Sequence, residues 1–404
     1  MKLTKELIKK LPKADLHVHL DGSLRVPTLI ELAKKKKITL PSYTEEGLRT
    51  LVFKKKYKSL MEYLHGFQYT CAVMQDKESL ERVAYEFALD CYADGVYYVE
   101  PRFAPQLHVN PAQTMEEVFV AVAKGLDRAK KEINKKIKGD EPTFEFGIIA
   151  CAMRMFNEHF SYYYRTLSEA LGYSSQEEMF AAASMQLAKA CVKVRDTKGV
   201  PIVGFDLAGA ERGFPAERHK EAYAYVHRNF MKKTVHAGEA YGPPSIFQAI
   251  TDCYADRIGH GTLIYNADMV DLPTEEDRQN YVSKLLQFVA DKRITIEICL
   301  TSNMQTSPEL GDIKKHPVRK MLNDKLSVAF CTDNMLVSNT TMTNEIMLAV
   351  DNLDLTPDEL RNTIIYSFKR SFMPSSSYME KRKYAKKVVN YFERLISSST
   401  NARK

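Results

Sequence analysis

Short runs of apolar and β-branched residues, each bounded by turn formers, recur eight times along the 404-residue chain, at 14–20, 96–103, 144–153, 201–207, 233–237, 257–260, 293–300 and 327–332. Between most of them lie helical patterns. SLERVAYEFALDCYADG, MEEVFVAVAKGLDRAKKEINKK and RQNYVSKLLQFVADK carry apolar residues at three- and four-residue intervals. A helix between two strands returns the chain to the same end of the sheet, so the strands are predicted to run parallel. Eight such units favour a closed α/β barrel, (β/α)8, over an open doubly wound sheet. Two connections are too long for one helix, so additional helices are predicted after strand one, near residues 22–94, and after strand three, near 156–198. Insertions there follow strand C-termini, where barrel active sites and lids are found. Helices are also predicted near 358–397, and no repeat or low-complexity linker divides the chain, so residues 1–404 read as one elaborated domain.

Composition narrows the function classes. At 45% hydrophobic and 27% charged residues the chain can bury a large core, and disorder is not expected. The opening MKLTKELIKKLPK mixes lysines with single apolar residues and has no continuous apolar stretch, so neither a signal peptide nor a membrane span is predicted. Seven cysteines are scattered singly without a CxxC pair, as reduced core thiols of a cytoplasmic protein would be. The net charge of +7 comes partly from Lys34–Lys37, Lys54–Lys56 and KRKYAKK. Without interleaved aromatics these read as solvated helix faces, so no nucleic-acid or membrane partner is expected, and no obligate protein partner is evident.

The ends of the predicted strands are polar. Strand one ends in His17-Val18-His19-Leu20-Asp21, strand five runs into His236-Ala237-Gly238-Glu239, strand six ends in Gly259-His260-Gly261, and strand eight in Cys331-Thr332-Asp333-Asn334. Residues two apart on a strand share a face, so His17 and His19 project together into the barrel. With His236 and Asp333 they make three nitrogens and one oxygen. That donor set suits zinc better than magnesium or calcium, with iron or cobalt as compatible alternatives. A lone HxH is ordinarily packing and a lone Asp after a strand is ordinarily a cap or turn residue; the metal reading rests on all of them occurring in barrel order. His65, His108, His159, His219, His227 and His316 lack such placement and read as surface or core residues.

HVHLDGS at 17–23, DLAGAE at 206–211, HAGE at 236–239, RIGHG at 257–261 and CTDN at 331–334 resemble, in order, the signature of the adenosine deaminases within the metal-dependent amidohydrolase superfamily. The resemblance runs from about residue 12 to about 340. It implies a distorted (β/α)8 barrel that removes the purine 6-amino group by hydrolysis, turning adenosine and 2′-deoxyadenosine into inosine and 2′-deoxyinosine with release of ammonia. It also implies one Zn2+ per chain, on His17, His19, His236 and Asp333. Binuclear relatives bridge two metals with a modified lysine on strand four, where this chain reads GFDLAGAE.

By the same resemblance, Glu239 would protonate ring N1, and His260 would take the proton of the attacking water or hold that water in line. The substrate-binding residues would be Gly209, whose N–H reaches N3, Asp21, which accepts from the ribose 5′-hydroxyl, Asn334, which faces N7, and His19. Many members carry a second aspartate where Asn334 stands. Its amide is predicted to turn its NH2 to N7 with the carbonyl braced by a neighbouring donor. A sister deaminase of adenine, AMP, N6-methyl-AMP or a modified nucleoside is the alternative, and a non-catalytic adenosine-binding protein a more distant one. The HxE and PCxxC signature of cytidine-type deaminases is absent.

Overall fold

A computed structural model describes residues 3–307, 310–375 and 377–401. Nine strands run in chain order: β1 Lys13–His19, β2 Val96–Phe103, β3 Glu145–Phe146, β4 Ile148–Met153, β5 Ile202–Ala208, β6 Lys232–Ala237, β7 Arg257–His260, β8 Thr295–Ile298 and β9 Ser327–Phe330. All pair in parallel, in the order β1-β2-β4-β5-β6-β7-β8-β9, with β3 beside β2. The single strand predicted over 144–153 is therefore two segments. They break at Gly147, where a Cβ would stand 2.6 Å from a Val203 methyl. The last strand returns to the first through a bridge between Val18 and Asp333, in which the Asp333 N–H donates to the His17 carbonyl at 2.8 Å and the His19 N–H to the Asp333 carbonyl at 2.6 Å. The barrel thus closes through three of the residues singled out by the sequence, His17, His19 and Asp333.

The long connections are helical, as their length requires. Val26–Lys36, Glu45–Leu51, Leu60–Leu64, Phe67–Val73 and Lys77–Ala93 fill the first, and Tyr162–Ala170 and Gln176–Lys198 the second. Their starts are set by side chains that satisfy free backbone N–H groups. Thr44, Ser59 and Asp76 accept at three of the starts, and Ser175 with Glu178 forms a capping box. Lys34–Lys36 lie on a helix, but Lys54–Lys56 fall in a loop between helices rather than on a solvated helix face. Past β9 the helices Met342–Asn352, Pro357–Arg370 and Tyr378–Asn401 close the chain, the first of them additional to those predicted. Among the described residues no helix is long and apolar enough to cross a membrane.

The strands are buried on both faces, as parallel strands covered by helices must be. The barrel interior nevertheless holds Glu100, Arg102, Asp206, Arg257 and Glu297, each at most 1% exposed. Arg102 pairs with Asp206 at 2.9 Å and Glu297 at 3.0 Å, and Arg257 with Glu297 at 2.6 Å and with Glu100. Isolated charges at such depth would be prohibitive; alternating signs and shared hydrogen bonds offset the lost hydration. The network ends beneath the barrel on Phe372, whose ring lies 3.5 Å from the Arg257 guanidinium and whose N–H donates to Glu100.

Candidate active site

The pleat of β1 sends His17 and His19 to one side, and the ends of β6, β7 and β9 bring His236, His260 and Asp333 to the same place. His260 and Asp333 hold φ values of 66° and 60°. Left-handed backbone is costly outside glycine and persists where surrounding structure enforces it; here it turns each side chain inward as its strand ends.

Three ring nitrogens and one carboxylate oxygen converge. His19 Nε2 and His236 Nε2 lie 3.2 Å apart, and Asp333 Oδ1 is 3.5 Å from both His17 Nε2 and His19 Nε2. The far nitrogens are occupied: His17 Nδ1 meets Glu297 Oε2 at 2.8 Å, and His236 Nδ1 meets Asp206 Oδ2 at 3.1 Å. Ionised carboxylates accept only, so each of these Nδ1 atoms carries the proton and each Nε2 turns a lone pair toward the centre. His17 Nε2 is buried with no hydrogen-bond partner. An orphaned lone pair facing two more imidazoles and a carboxylate is what a tetrahedral N3O cation site requires, and the residues fit a zinc-like ion. The Asp333 side chain, itself 7% exposed, completes the donor set. Ser302 donates to its other oxygen.

Ligand-capable atoms of His17, His236, His260 and Asp333 also lie within 4.8 Å of one another, so His260 joins the cluster. Burial, partly opposed by Asp333, lowers its pKa to about 4. Its Nε2 is 3.8 Å from Glu239 Oε1. The Glu239 side chain is 18% exposed, and burial, opposed by His236 and reinforced by Glu211 and Asp333, raises its carboxyl to about 7. Glu211 holds the turn that carries it, accepting from the N–H groups of Gly238 at 3.0 Å, Glu239 at 2.9 Å and Ala240 at 2.5 Å, and from the Ser245 hydroxyl.

Asp21 sits in a one-turn helix just after β1, 3% exposed, with Oδ1 unpartnered; burial, opposed by the backbone N–H groups of Ala104 and its own residue, raises it to about 7. It gathers with Cys71 and His108. Gly209 has φ 105°, which no other residue adopts without strain, and nothing lies closer than 3.7 Å to where its Cβ would be. Asn334 differs from expectation. Its NH2 donates to the Tyr63 hydroxyl at 2.7 Å while its carbonyl oxygen has no partner, so the braced end of the amide is the NH2 and not the carbonyl. Tyr63 is itself tied to Ser338 at 2.7 Å, which explains its availability as the brace.

Asp206, Glu211, Glu297 and Ser302 were missed by sequence reasoning. Asp206 and Glu211 lie within the DLAGAE motif, and a carboxylate inside the apolar run around Glu297 was a visible signal of a buried partner. Of the histidines set aside, His65, His159 and His227 are exposed, whereas His108, His219 and His316 are buried.

The adenosine deaminase family profile matches residues 12–391. A probable adenosine deaminase of Dictyostelium discoideum is 36% identical over 393 residues, covering 97% of this chain and 44% of that protein. An adenosine deaminase of Mycolicibacterium vanbaalenii is 35% identical over 373 residues, covering 92% of this chain and 93% of that one. Among solved structures, an amidohydrolase from Burkholderia ambifaria with bound Zn shares the fold at a TM-score of 0.74 and 17% identity, covering 98% of this chain and 96% of its own.

Proposed function

The chain belongs to the adenosine deaminase family, and from that premise we propose that it deaminates adenosine and 2′-deoxyadenosine by hydrolysis, yielding inosine or 2′-deoxyinosine and ammonia, a purine-salvage reaction. The reading is carried by one observation: the Nε2 atoms of His17, His19 and His236 converge on Asp333 beside the raised carboxyl of Glu239. A single zinc held by those four residues would supply a Lewis acid able to lower the pKa of a water from ~15.7 toward ~7.

The remaining work falls to the chain. Protonated Glu239 donates to purine N1, so the ring accepts electrons as C6 becomes tetrahedral, and the same carboxylate then carries a proton to the departing amine. His260 lies beside the attacking water. Gly209 offers its backbone N–H to N3, Asp21 accepts from the 5′-hydroxyl, Asn334 lies along the N7 edge and His19 borders the purine. Above about pH 7, where the buried Asp21 carboxyl is ionised, a 5′-phosphate against it would meet like charge in a desolvated site, which favours the nucleoside over AMP. We read residues 1–404 as one domain whose partner is this small substrate, in a reducing cytoplasm that suits seven free thiols.

An absorbance assay with adenosine, 2′-deoxyadenosine, AMP, N6-methyl-AMP and adenine, alongside metal analysis, tests the reading. Adenosine is the expected best substrate. Preference for AMP, N6-methyl-AMP or adenine would reassign the substrate, and no turnover of any aminopurine by zinc-loaded protein would overturn the function.

A further inference from the structure

His260 can face the reaction as a proton acceptor, a hydrogen-bond donor or a metal ligand, and which it is depends on which ring nitrogen carries the proton. A chain of hydrogen bonds behind it settles the question. His316 Nδ1 receives the backbone N–H of Val318 at 3.2 Å. A backbone amide only donates, so this nitrogen holds a lone pair and the His316 proton sits on Nε2. That Nε2 meets Asn303 Oδ1 at 3.2 Å, and the Asn303 NH2 meets His260 Nδ1 at 3.0 Å. Turning the amide over would set its NH2 against the His316 N–H, so its direction follows from the Val318 amide. Asn303, His316 and His260 are 1%, 2% and 2% exposed, which leaves little room for water to compete.

We infer that Asn303 and His316 form a one-way relay that fixes His260 as its Nε2–H tautomer, making it a donor to the attacking oxygen rather than that oxygen's base or a ligand of the metal. Asn303 and His316 are positioning residues that act through His260. The inference deepens the proposed reaction and rests on it for the identity of the attacking oxygen, but the tautomer belongs to the chain itself. It also separates His260 from the cluster it shares with His17, His236 and Asp333. A ring whose facing nitrogen carries a proton has no lone pair to give a cation, and the third imidazole is His19.

The test is 15N NMR of the histidine rings in the metal-free chain, with kinetics and metal content measured on the loaded one. The parent should show His260 protonated at Nε2 and bare at Nδ1. In Asn303→Asp the side chain facing Nδ1 can only accept, so the proton should move to Nδ1. There kcat should fall ~10²-fold, the scale of losing one preorganised donor, with the KM for adenosine and the metal content unchanged. Should that variant not fold, a second pair decides. His316→Leu frees the amide to turn, giving mixed tautomers and a lowered kcat, and His316→Gln, which keeps an N–H donor, should recover most of the loss. A parent protonated at Nδ1, or variants that leave both the ring proton and kcat unmoved, would overturn the relay. A parent with the stated tautomer but no turnover of any aminopurine would sink the proposed function and leave the relay standing.

Discussion

At the scale of the residue, Glu239 shows how a side chain of ordinary chemistry becomes an acid useful near neutrality. Burial beside Glu211 and Asp333 outweighs the pull of His236, and its carboxyl rises to about 7. Glu239→Gln keeps the shape and an N–H but has no transferable proton; kcat is expected to fall at least ~10²-fold, with metal content unchanged by elemental analysis. The protonated form is the working form, so activity of the parent should decline as pH rises through the carboxyl pKa. A pH profile of kcat lacking an alkaline limb would contradict it. Asp21 gives a second expectation. Asp21→Ala should reduce kcat/KM for adenosine by roughly 1.5–3 kcal/mol, the loss of a hydrogen bond to a charged acceptor, and narrow the preference for adenosine over AMP, as read from paired rates. The candidate residues were legible individually because strand-end HxH, HAGE, GHG and TDN place chemistry where barrels use it. The orientation of Asn334 was not, since it depends on Tyr63, 271 residues away in sequence.

At the scale of the element, strand ends bring the candidate groups together and loops aim them. The turn after β6 owes its course to Glu211, which gathers three successive backbone N–H groups. Glu211→Ala leaves the Glu239 and Ala240 N–H groups without their acceptor, while Gly238 keeps the Ser245 hydroxyl at 3.0 Å, and each buried donor left unpaired costs ~1–3 kcal/mol. We expect a lower thermal midpoint and a fall in kcat larger than any change in KM, because the turn positions Glu239; a stability loss with unchanged kcat would assign Glu211 a purely structural role. Periodicity located the strands, and the few helices it named, to within a few residues. It merged β3 with β4, because the space Gly147 leaves for Val203 of the neighbouring strand, where a Cβ would stand 2.6 Å from its methyl, has little local mark in the sequence.

At the scale of the whole molecule, a charged core links the metal-binding face to the opposite end of the barrel. Glu297 holds His17, Asp206 holds His236, and both lead through Arg102 and Arg257 to Glu100 and Phe372. Against burial, the arginines and the paired histidines hold Glu297 and Asp206 well below their unfolded values of 4.5 and 3.8. A depressed carboxyl stabilises the fold above its unfolded pKa, and that contribution is lost as pH falls toward the folded one. The melting temperature contributed by this network should therefore drop below about pH 4.5, and scans showing no acid loss would contradict the pairing. Metal binding should add stability by mass action, ~2.7 kcal/mol at 100 times its Kd, so chelation should abolish activity and lower the melting temperature together. Length, periodicity and the order of polar strand ends were enough to specify a parallel barrel and the end of it where the candidate residues gather, because a strand's alternation and a crossover helix are local consequences of sequence. Which carboxylate turns each histidine, which way the Asn303 and Asn334 amides point, and how β9 closes on β1 were decided only in three dimensions. Those outcomes join partners remote in the chain, and burial makes each unpaired donor or charge too costly to leave unmatched.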